Sequence, residues 1–91
     1  MQGQDRSEPG ADERLDVRGK SCPEPALEAR RQLDLMAAGQ VLKVMASDPL
    51  AAVDLQILCD RLGHRLLESR AVGDELNVWI RVSAGRPPGA G

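Results

Sequence analysis

Residues Leu15 to Pro25, with the sequence LDVRGKSCPEP, lead the chain from a strand through a turn into a helix. Leu15 and Val17 alternate with a polar residue, which is typical of a short strand. Gly19 and the polar residues after it favour a turn. Proline holds the preceding residue extended and is tolerated in the first turn of a helix, where its missing amide would have no helical acceptor. The stretch therefore predicts a strand, a turn and a helix start, with Cys22 presented at their junction.

The rest of the chain continues this alternation of strands and helices. Apolar residues at helical spacing extend the first helix to about Ala38, with Gly39 as its stop. The order β-α-β-α-β-β predicts an α/β (α+β) two-layer sandwich, with two helices on one face of a four-stranded mixed sheet. The pattern leaves the order of the strands in the sheet open. The further predicted elements are a strand over Val41–Ala46, a helix over about Pro49–Leu62 that ends at Gly63, a strand centred on Leu66 and Leu67, a turn over residues 72–75 and a strand over Leu76–Val82.

The composition of the 91 residues fits one small domain with an aliphatic core. The net charge of −2 and the absence of Phe and Tyr disfavour direct binding to nucleic acids or to anionic membranes. No apolar run is long enough to cross a membrane, and no signal peptide is recognisable, so a cytoplasmic protein is expected. Residues 1–14 and 83–91 are polar or rich in Gly and Pro and are predicted to be disordered, which leaves residues 15–82 as the folded domain.

The two cysteines, Cys22 and Cys59, need separate explanations. They are 37 residues apart, unlike a CxxC pair, and the chain has no metal-ligand spacing, so neither a metal nor another cofactor is expected. Cys59 falls in an apolar stripe of the second helix and is predicted to be buried as a small hydrophobic residue. The apolar stripes predicted for this helix are Leu50, Val53, Ile57 and Leu58, and beside them Ala52, Leu55, Cys59 and Leu62.

Cys22 has the surroundings of a reactive thiol. A helix N-terminus favours the thiolate, so a lowered pKa is expected. The nearby Arg18, Lys20 and Arg31 are expected to stabilise the anion and to contact an acidic partner, whereas Glu24 opposes the thiolate. The alternative is that Cys22 is a small apolar residue at a helix start, although Ser or Asp is more common there.

Three other polar residues receive simpler predictions. Asp48 precedes a proline and is expected to cap the second helix. Asp54 is expected on the solvated face of that helix. His64 follows the helix stop and is predicted either at the surface or in contact with the last helical carbonyls, and it is a weak candidate for a general base.

Taken together, several of these residues resemble the sulfur-carrier family of TusA and SirA-like proteins. The resemblance covers nearly all of residues 15–82 and implies the βαβαββ sandwich. It implies that Cys22 takes up sulfur as a persulfide and passes it on, presented by Gly19, Pro23, Glu24 and Pro25. Lys20, Gln56 and Leu58 depart from the usual family pattern. The matching positions are Leu15-Asp16, Gly19 and the Cys22-Pro23-x-Pro25 (CPxP) motif, then Gly39, Asp48-Pro49, Asp54, Cys59 and Gly63-His64.

The leading hypothesis is therefore a monomeric sulfur carrier, or a sulfurtransferase if it is counted as an enzyme. Its expected partners are a cysteine desulfurase or rhodanese-like sulfur donor and a downstream acceptor protein, in tRNA thiolation, cofactor sulfuration or sulfur oxidation. The alternative is a thiol redox or regulatory module in which Cys22 pairs with Cys59 or with a partner thiol. An RNA-binding module that uses the sheet face and Arg81 is disfavoured by the charge and by the missing aromatic residues.

Overall fold

A computed structural model of the chain describes residues 9–83, which form two helices and four strands. The elements are β1 (Glu13–Asp16), α1 (Glu24–Asp34), β2 (Val41–Ala46), α2 (Ala51–Leu62), β3 (Arg65–Val72) and β4 (Glu75–Arg81). The strands lie in the order β1-β2-β4-β3; β1 and β2 are parallel, and the other pairs are antiparallel. The predicted two-layer sandwich and mixed sheet are confirmed.

An aliphatic core lies between the helices and one face of the sheet. Because side chains alternate along a strand, every second residue of β2 and β4 points into this core. The register places Leu42 opposite Ile80 and Val44 opposite Val78, and all four are fully buried. The helices cover this face with Ala29 and Leu33 from α1 and Ala51, Leu55 and Cys59 from α2.

The first strand and the first helix differ from the predicted boundaries. β1 begins at Glu13, two residues before the predicted start of the domain. α1 ends at Asp34 instead of about Ala38, because the Leu35 amide turns back to the carbonyls of Gln32 and Leu33. A turn follows, in which Gly39 has a φ of 91° and donates its amide to the Val82 carbonyl at 2.7 Å. The glycine therefore closes the turn into β2 rather than ending the helix.

The second helix has a narrower buried face than predicted. α2 begins at Ala51, two residues after Pro49, and ends as predicted at Gly63, which has a φ of 79°. Its buried residues follow a spacing of four, at Ala51, Leu55 and Cys59, while Leu58 is half-buried beside them. The stripe predicted from Leu50 to Leu58 is not a buried face, because three of its four residues face outward. Leu50 is 57%, Val53 57% and Ile57 47% exposed.

The opposite face of the sheet carries Trp79, which is fully buried although α1 and α2 both lie on the other face. The Lys43 Nζ lies 5.3 Å and the Arg70 Cζ 5.5 Å from the centre of the indole ring, within the range of cation–π interactions. Arg70 also forms an ion pair with Glu68. Long polar side chains thus shield the indole ring from solvent.

Neither helix within residues 9–83 has the length and apolarity that a membrane span requires. Residues 1–8 and 84–91, which include most of the two segments predicted to be disordered, lie outside the described residues.

Candidate functional site

Cys22 lies in the loop between β1 and α1, at the carboxyl end of the parallel strands, and is exposed. The loop is held at both ends. The Gly19 amide donates to the Ser47 Oγ at 2.8 Å, and Glu24 donates its amide to the Ser21 carbonyl at 2.9 Å. The Cys22–Pro23 peptide bond is cis. The CPxP motif therefore presents the thiol at the start of α1, where the sequence predicted it.

Asp48 joins the Cys22 loop to the start of α2. One carboxylate oxygen accepts the Cys22 amide at 2.7 Å, and the other accepts the Leu50 amide at 2.9 Å. These backbone hydrogen bonds, that of Leu50 first, hold the pKa of Asp48 below its usual value. The N-cap of α2 is Leu50 and has no side-chain cap hydrogen bond, so the prediction that Asp48 caps the helix is wrong. Asp48 instead binds the amide just before the helix and the amide of Cys22, a linking role that was not predicted.

The Cys22 thiol donates a hydrogen bond to the carboxylate of Asp54, with 2.7 Å between Sγ and Oδ2. This hydrogen bond is the largest cause of a raised pKa of Cys22, followed by partial desolvation and by the negative charges of Asp54 and Asp48. The expected lowering of the Cys22 pKa is therefore wrong. The prediction that Asp54 is merely a solvated residue is wrong as well.

The helix N-terminus fails to offset this effect for a local reason. Pro23 and Pro25 have no amide hydrogen, and the Glu24 amide is already donated to Ser21. Most donors of the first turn are thus missing or engaged, so the helix start offers the Cys22 sulfur little stabilisation as an anion.

The three basic residues expected near the sulfur are placed elsewhere. Arg18 pairs with Asp16 at 2.8 Å and with Glu75 at 3.5 Å. Lys20 pairs with Glu28 at 3.0 Å, and Arg31 lies exposed in the last turn of α1. Among residues 9–83, no hydrogen bond or ion pair joins any of the three to Cys22 or Asp54.

A shallow groove of about 230 Å³ opens beside the Cys22 sulfur, between the start of α1 and the outer side of α2. Apart from Asp54 it is mostly apolar, and Arg61 is the basic residue among the described residues that line it. Arg61 was missed in the sequence, although its position seven residues after Asp54 places both on one side of a helix. The lining residues are Cys22, Pro23, Ala26, Asp54, Ile57, Leu58 and Arg61.

Cys59 and His64 belong to the interior rather than to the groove. Cys59 is fully buried, as predicted, and burial raises the pKa of its thiol to about 11. His64 is also buried, and its Nδ1 accepts the Ser83 amide at 3.2 Å. Its backbone amide, not its side chain, is bonded to the Cys59 carbonyl. Within residues 9–83, no three His, Cys, Asp or Glu side chains come together as a metal site would require.

Comparison with known proteins gives consistent matches over the folded region. The family model described as "Sulfurtransferase TusA" matches residues 13–82. A "Sulfur carrier protein TusA" of Allochromatium vinosum is 38% identical over 72 residues, which cover 79% of this chain and 95% of that protein. The protein of the same name from Pseudomonas entomophila is 40% identical over 73 residues, covering 80% and 91% of the two chains.

A solved structure has the same fold. The crystal structure of the SirA-like protein from Desulfitobacterium hafniense superposes with a TM-score of 0.69. The match covers 79% of this chain and 99% of that one, at 24% sequence identity. This likeness supports the βαβαββ architecture independently of the sequence matches.

Proposed function

This chain belongs to the TusA sulfurtransferase family, and from that membership we propose that it carries sulfane sulfur as a persulfide on Cys22 and relays it from a donor protein to an acceptor protein. The observation that carries the proposal is the contrast between the two thiols. Cys22 is exposed at the mouth of a groove, whereas Cys59 is fully buried. An acceptor protein can reach only the first of these without opening the core.

The proposed relay has two steps, and each exchanges one S–S bond for another. In loading, the Cys22 sulfur attacks the outer sulfur of a donor persulfide, and the proton of the Cys22 thiol passes to the leaving donor thiolate. In unloading, an acceptor thiolate attacks the outer sulfur on Cys22, and the Cys22 thiolate leaves and is protonated again. Neither step needs an added oxidant or reductant.

The hydrogen bond to Asp54 sets the resting state of the proposed carrier. Because it raises the pKa of Cys22, the free protein holds a protonated thiol at neutral pH. A thiol resists overoxidation better than a thiolate does. Once it is deprotonated beside a donor, a thiolate of higher pKa is intrinsically the stronger nucleophile. The site thus combines a protected resting state with a competent reacting state.

The surroundings of Cys22 suit contact with other proteins. Ile57, which lines the groove beside Cys22, is 47% exposed, and Val53, one turn before it on α2, is 57% exposed. We propose that a cysteine desulfurase or a rhodanese-like protein supplies the sulfur at this apolar surface and that a downstream carrier or enzyme receives it there. tRNA thiolation, cofactor sulfuration and sulfur oxidation would all use this chemistry.

Two further features belong to the proposal. A free, exposed thiol of this kind needs a reducing compartment, which favours the cytoplasm. The carrier domain is proposed to act as a monomer.

The proposal is tested by intact-mass spectrometry after incubation with a cysteine desulfurase and cysteine, or with a rhodanese and thiosulfate. The wild type and Cys59→Ala should gain the mass of one sulfur atom, and Cys22→Ala should gain none. Sulfur on Cys22→Ala would overturn the proposal, as would a wild type that gains no sulfur from either active donor.

The alternative, a redox or regulatory module in which Cys22 pairs with Cys59 or with a partner thiol, has no supporting observation. Both cysteines are free, and Cys59 lies within the core.

A further inference from the structure

The groove beside Cys22 has opposite charges at two points along one helix. Asp54 and Arg61 are seven residues apart on α2, which corresponds to a rise of roughly 10 Å, and both line the groove. The Cα–Cβ bonds of a helix tilt toward its N-terminus, so an arginine at position 61 can reach along the groove toward Asp54. The wall between the two charges is apolar and includes Ile57 and Leu58.

These two charges act differently on the two forms of the Cys22 sulfur. The thiol has a proton to donate, and it donates it to Asp54. An alkyl persulfide is a stronger acid than the parent thiol, and its anion has no proton for Asp54 to accept. A carboxylate within hydrogen-bonding distance therefore attracts the unloaded sulfur and repels the loaded one.

We propose that the groove is a subsite for the outer, anionic sulfur of a Cys22 persulfide. This sulfur points away from Asp54 and toward Arg61, whose guanidinium group balances its negative charge. The inference rests on the proposed function and adds the position and the charge partner of the cargo. It assigns Arg61 as a positioning residue for the sulfane sulfur.

The other charged groups around the sulfur leave this role to Arg61. Asp48, before α2, is acidic and adds to the repulsion. On the side of α1, Lys20 is held by Glu28 at 3.0 Å. Arg61 forms no hydrogen bond or ion pair with any other residue in the part of the chain that the structure describes, so its charge is available to the groove.

Neutralising the outer sulfur also serves its transfer. An acceptor thiolate that attacks an anionic sulfur meets a like charge, and a guanidinium group beside that sulfur reduces the repulsion. Loading by hydrogen disulfide gives the same product as loading by a donor protein: Cys22–SH and HS–SH yield Cys22–S–SH and H₂S, with one S–S bond broken and one formed. Inorganic polysulfide can therefore serve as a probe that needs no partner protein.

The test loads the full chain with inorganic polysulfide and measures the persulfide pKa on Cys22 from the pH dependence of alkylation by iodoacetamide, read by mass spectrometry of the Cys22 peptide. Arg61→Gln should raise the persulfide pKa by about 0.5, the size expected for losing an exposed ion pair. Arg61→Lys should restore most of the wild-type value. The difference in persulfide pKa between the wild type and Arg61→Gln should shrink as added salt screens the guanidinium charge.

The matched control is Arg65→Gln, which removes an exposed arginine at the start of β3, at the end of the sheet opposite Cys22. It should leave the persulfide pKa unchanged. Equal values for Arg61→Gln and Arg65→Gln would overturn the subsite, as would a Cys22 that polysulfide cannot load.

Polysulfide reacts with thiols whether or not a protein is a carrier. A protein that responds as expected here but takes no sulfur from donor proteins would contradict the proposed function alone.

Discussion

At the scale of single residues, the chemistry of Cys22 is set by a partner 32 positions away in the sequence. The residues next to Cys22 include prolines and basic side chains that suggested an easily ionised thiol. The contact with Asp54, at 2.7 Å, works in the opposite direction and is the stronger influence on the pKa of Cys22. The state of the free protein is therefore a protonated thiol held against α2.

Replacing Asp54 by Asn should make Cys22 more reactive. Asp54→Asn removes the carboxylate charge that favours the thiol, so the pKa of Cys22 should fall and alkylation by iodoacetamide at neutral pH should become several-fold faster. The pH profile of the alkylation rate is the measurement, and its midpoint should move to lower pH.

Asp60→Asn is the matched control for this change. Asp60 lies on the same helix, but it accepts a hydrogen bond from Gln56 rather than from the thiol. It should leave the alkylation profile of Cys22 unchanged. If Asp54→Asn reacts at the wild-type rate, or more slowly, Asp54 does not govern the thiol.

The raised pKa of Cys22 makes the stability of the folded protein depend on pH. The thiol–carboxylate hydrogen bond contributes to stability below the unfolded cysteine pKa of about 8.5. That contribution is lost as the pH rises through the higher pKa of the folded protein.

At the scale of elements, Asp48 connects the active loop to the second helix. Its two carboxylate oxygens accept amides from both sides, at Cys22 and at Leu50. The loop is therefore positioned by the same residue that supports the start of α2, and the groove between the two helices has a fixed edge.

Asp48→Ala should destabilise the fold and loosen the Cys22 loop. Loss of both acceptors should lower the Tm by a few degrees and speed hydrogen exchange at the Cys22 amide. Because the pKa of Asp48 is lowered in the folded state, its contribution is present above the unfolded value of about 3.9 and is lost as the pH falls through the folded value. The difference in Tm between wild type and variant should therefore shrink in acid.

Asp74→Ala serves as the control for this prediction, because Asp74 is exposed in the turn between β3 and β4. It should change the Tm little. The linking role of Asp48 would be contradicted if Asp48→Ala had the same Tm as Asp74→Ala and its Cys22 amide exchanged hydrogen as slowly as in the wild type.

Local sequence signals predicted some elements well and others poorly, for identifiable reasons. Gly63 ends α2, and β4 follows the alternation of Leu76 to Val82, because each depends on backbone conformation or on a period of two. The end of α1 and the buried face of α2 depend on packing. Apolar residues nearly surround α2, so the sequence could not show that Val53 and Ile57 face solvent. The Cys22–Asp54 contact was missed for the same reason. It depends on which side of α2 faces the Cys22 loop, and the sequence does not show how the helix is oriented about its axis.

At the scale of the whole molecule, a small aliphatic core is supplemented by one aromatic residue on the opposite face of the sheet. Trp79 is fully buried beneath Lys43 and Arg70, on the face of the sheet away from α1 and α2. Both faces of the central strand β4 are thus shielded from water. For a domain of this size, such additional burial is a large share of a modest stability.

Trp79→Ala should therefore lower the free energy of unfolding by about 3–5 kcal/mol. Urea unfolding followed by far-UV circular dichroism measures the change, and Lys43→Gln, which removes one cation from the ring, should cost no more than about 1 kcal/mol. A loss below about 1 kcal/mol for Trp79→Ala would show that the second face contributes little.

The central claim is that transferred sulfur resides on Cys22, and peptide mapping tests it most directly. Trypsin cleavage after Lys20 and Arg30 releases residues 21–30 with Cys22, and cleavage after Lys43 and Arg61 releases residues 44–61 with Cys59. After incubation with a desulfurase and cysteine, or a rhodanese and thiosulfate, and alkylation with iodoacetamide, the added sulfur should appear on residues 21–30 alone and should be released by reductant. Sulfur on residues 44–61, or none on residues 21–30 with either active donor, would contradict the claim.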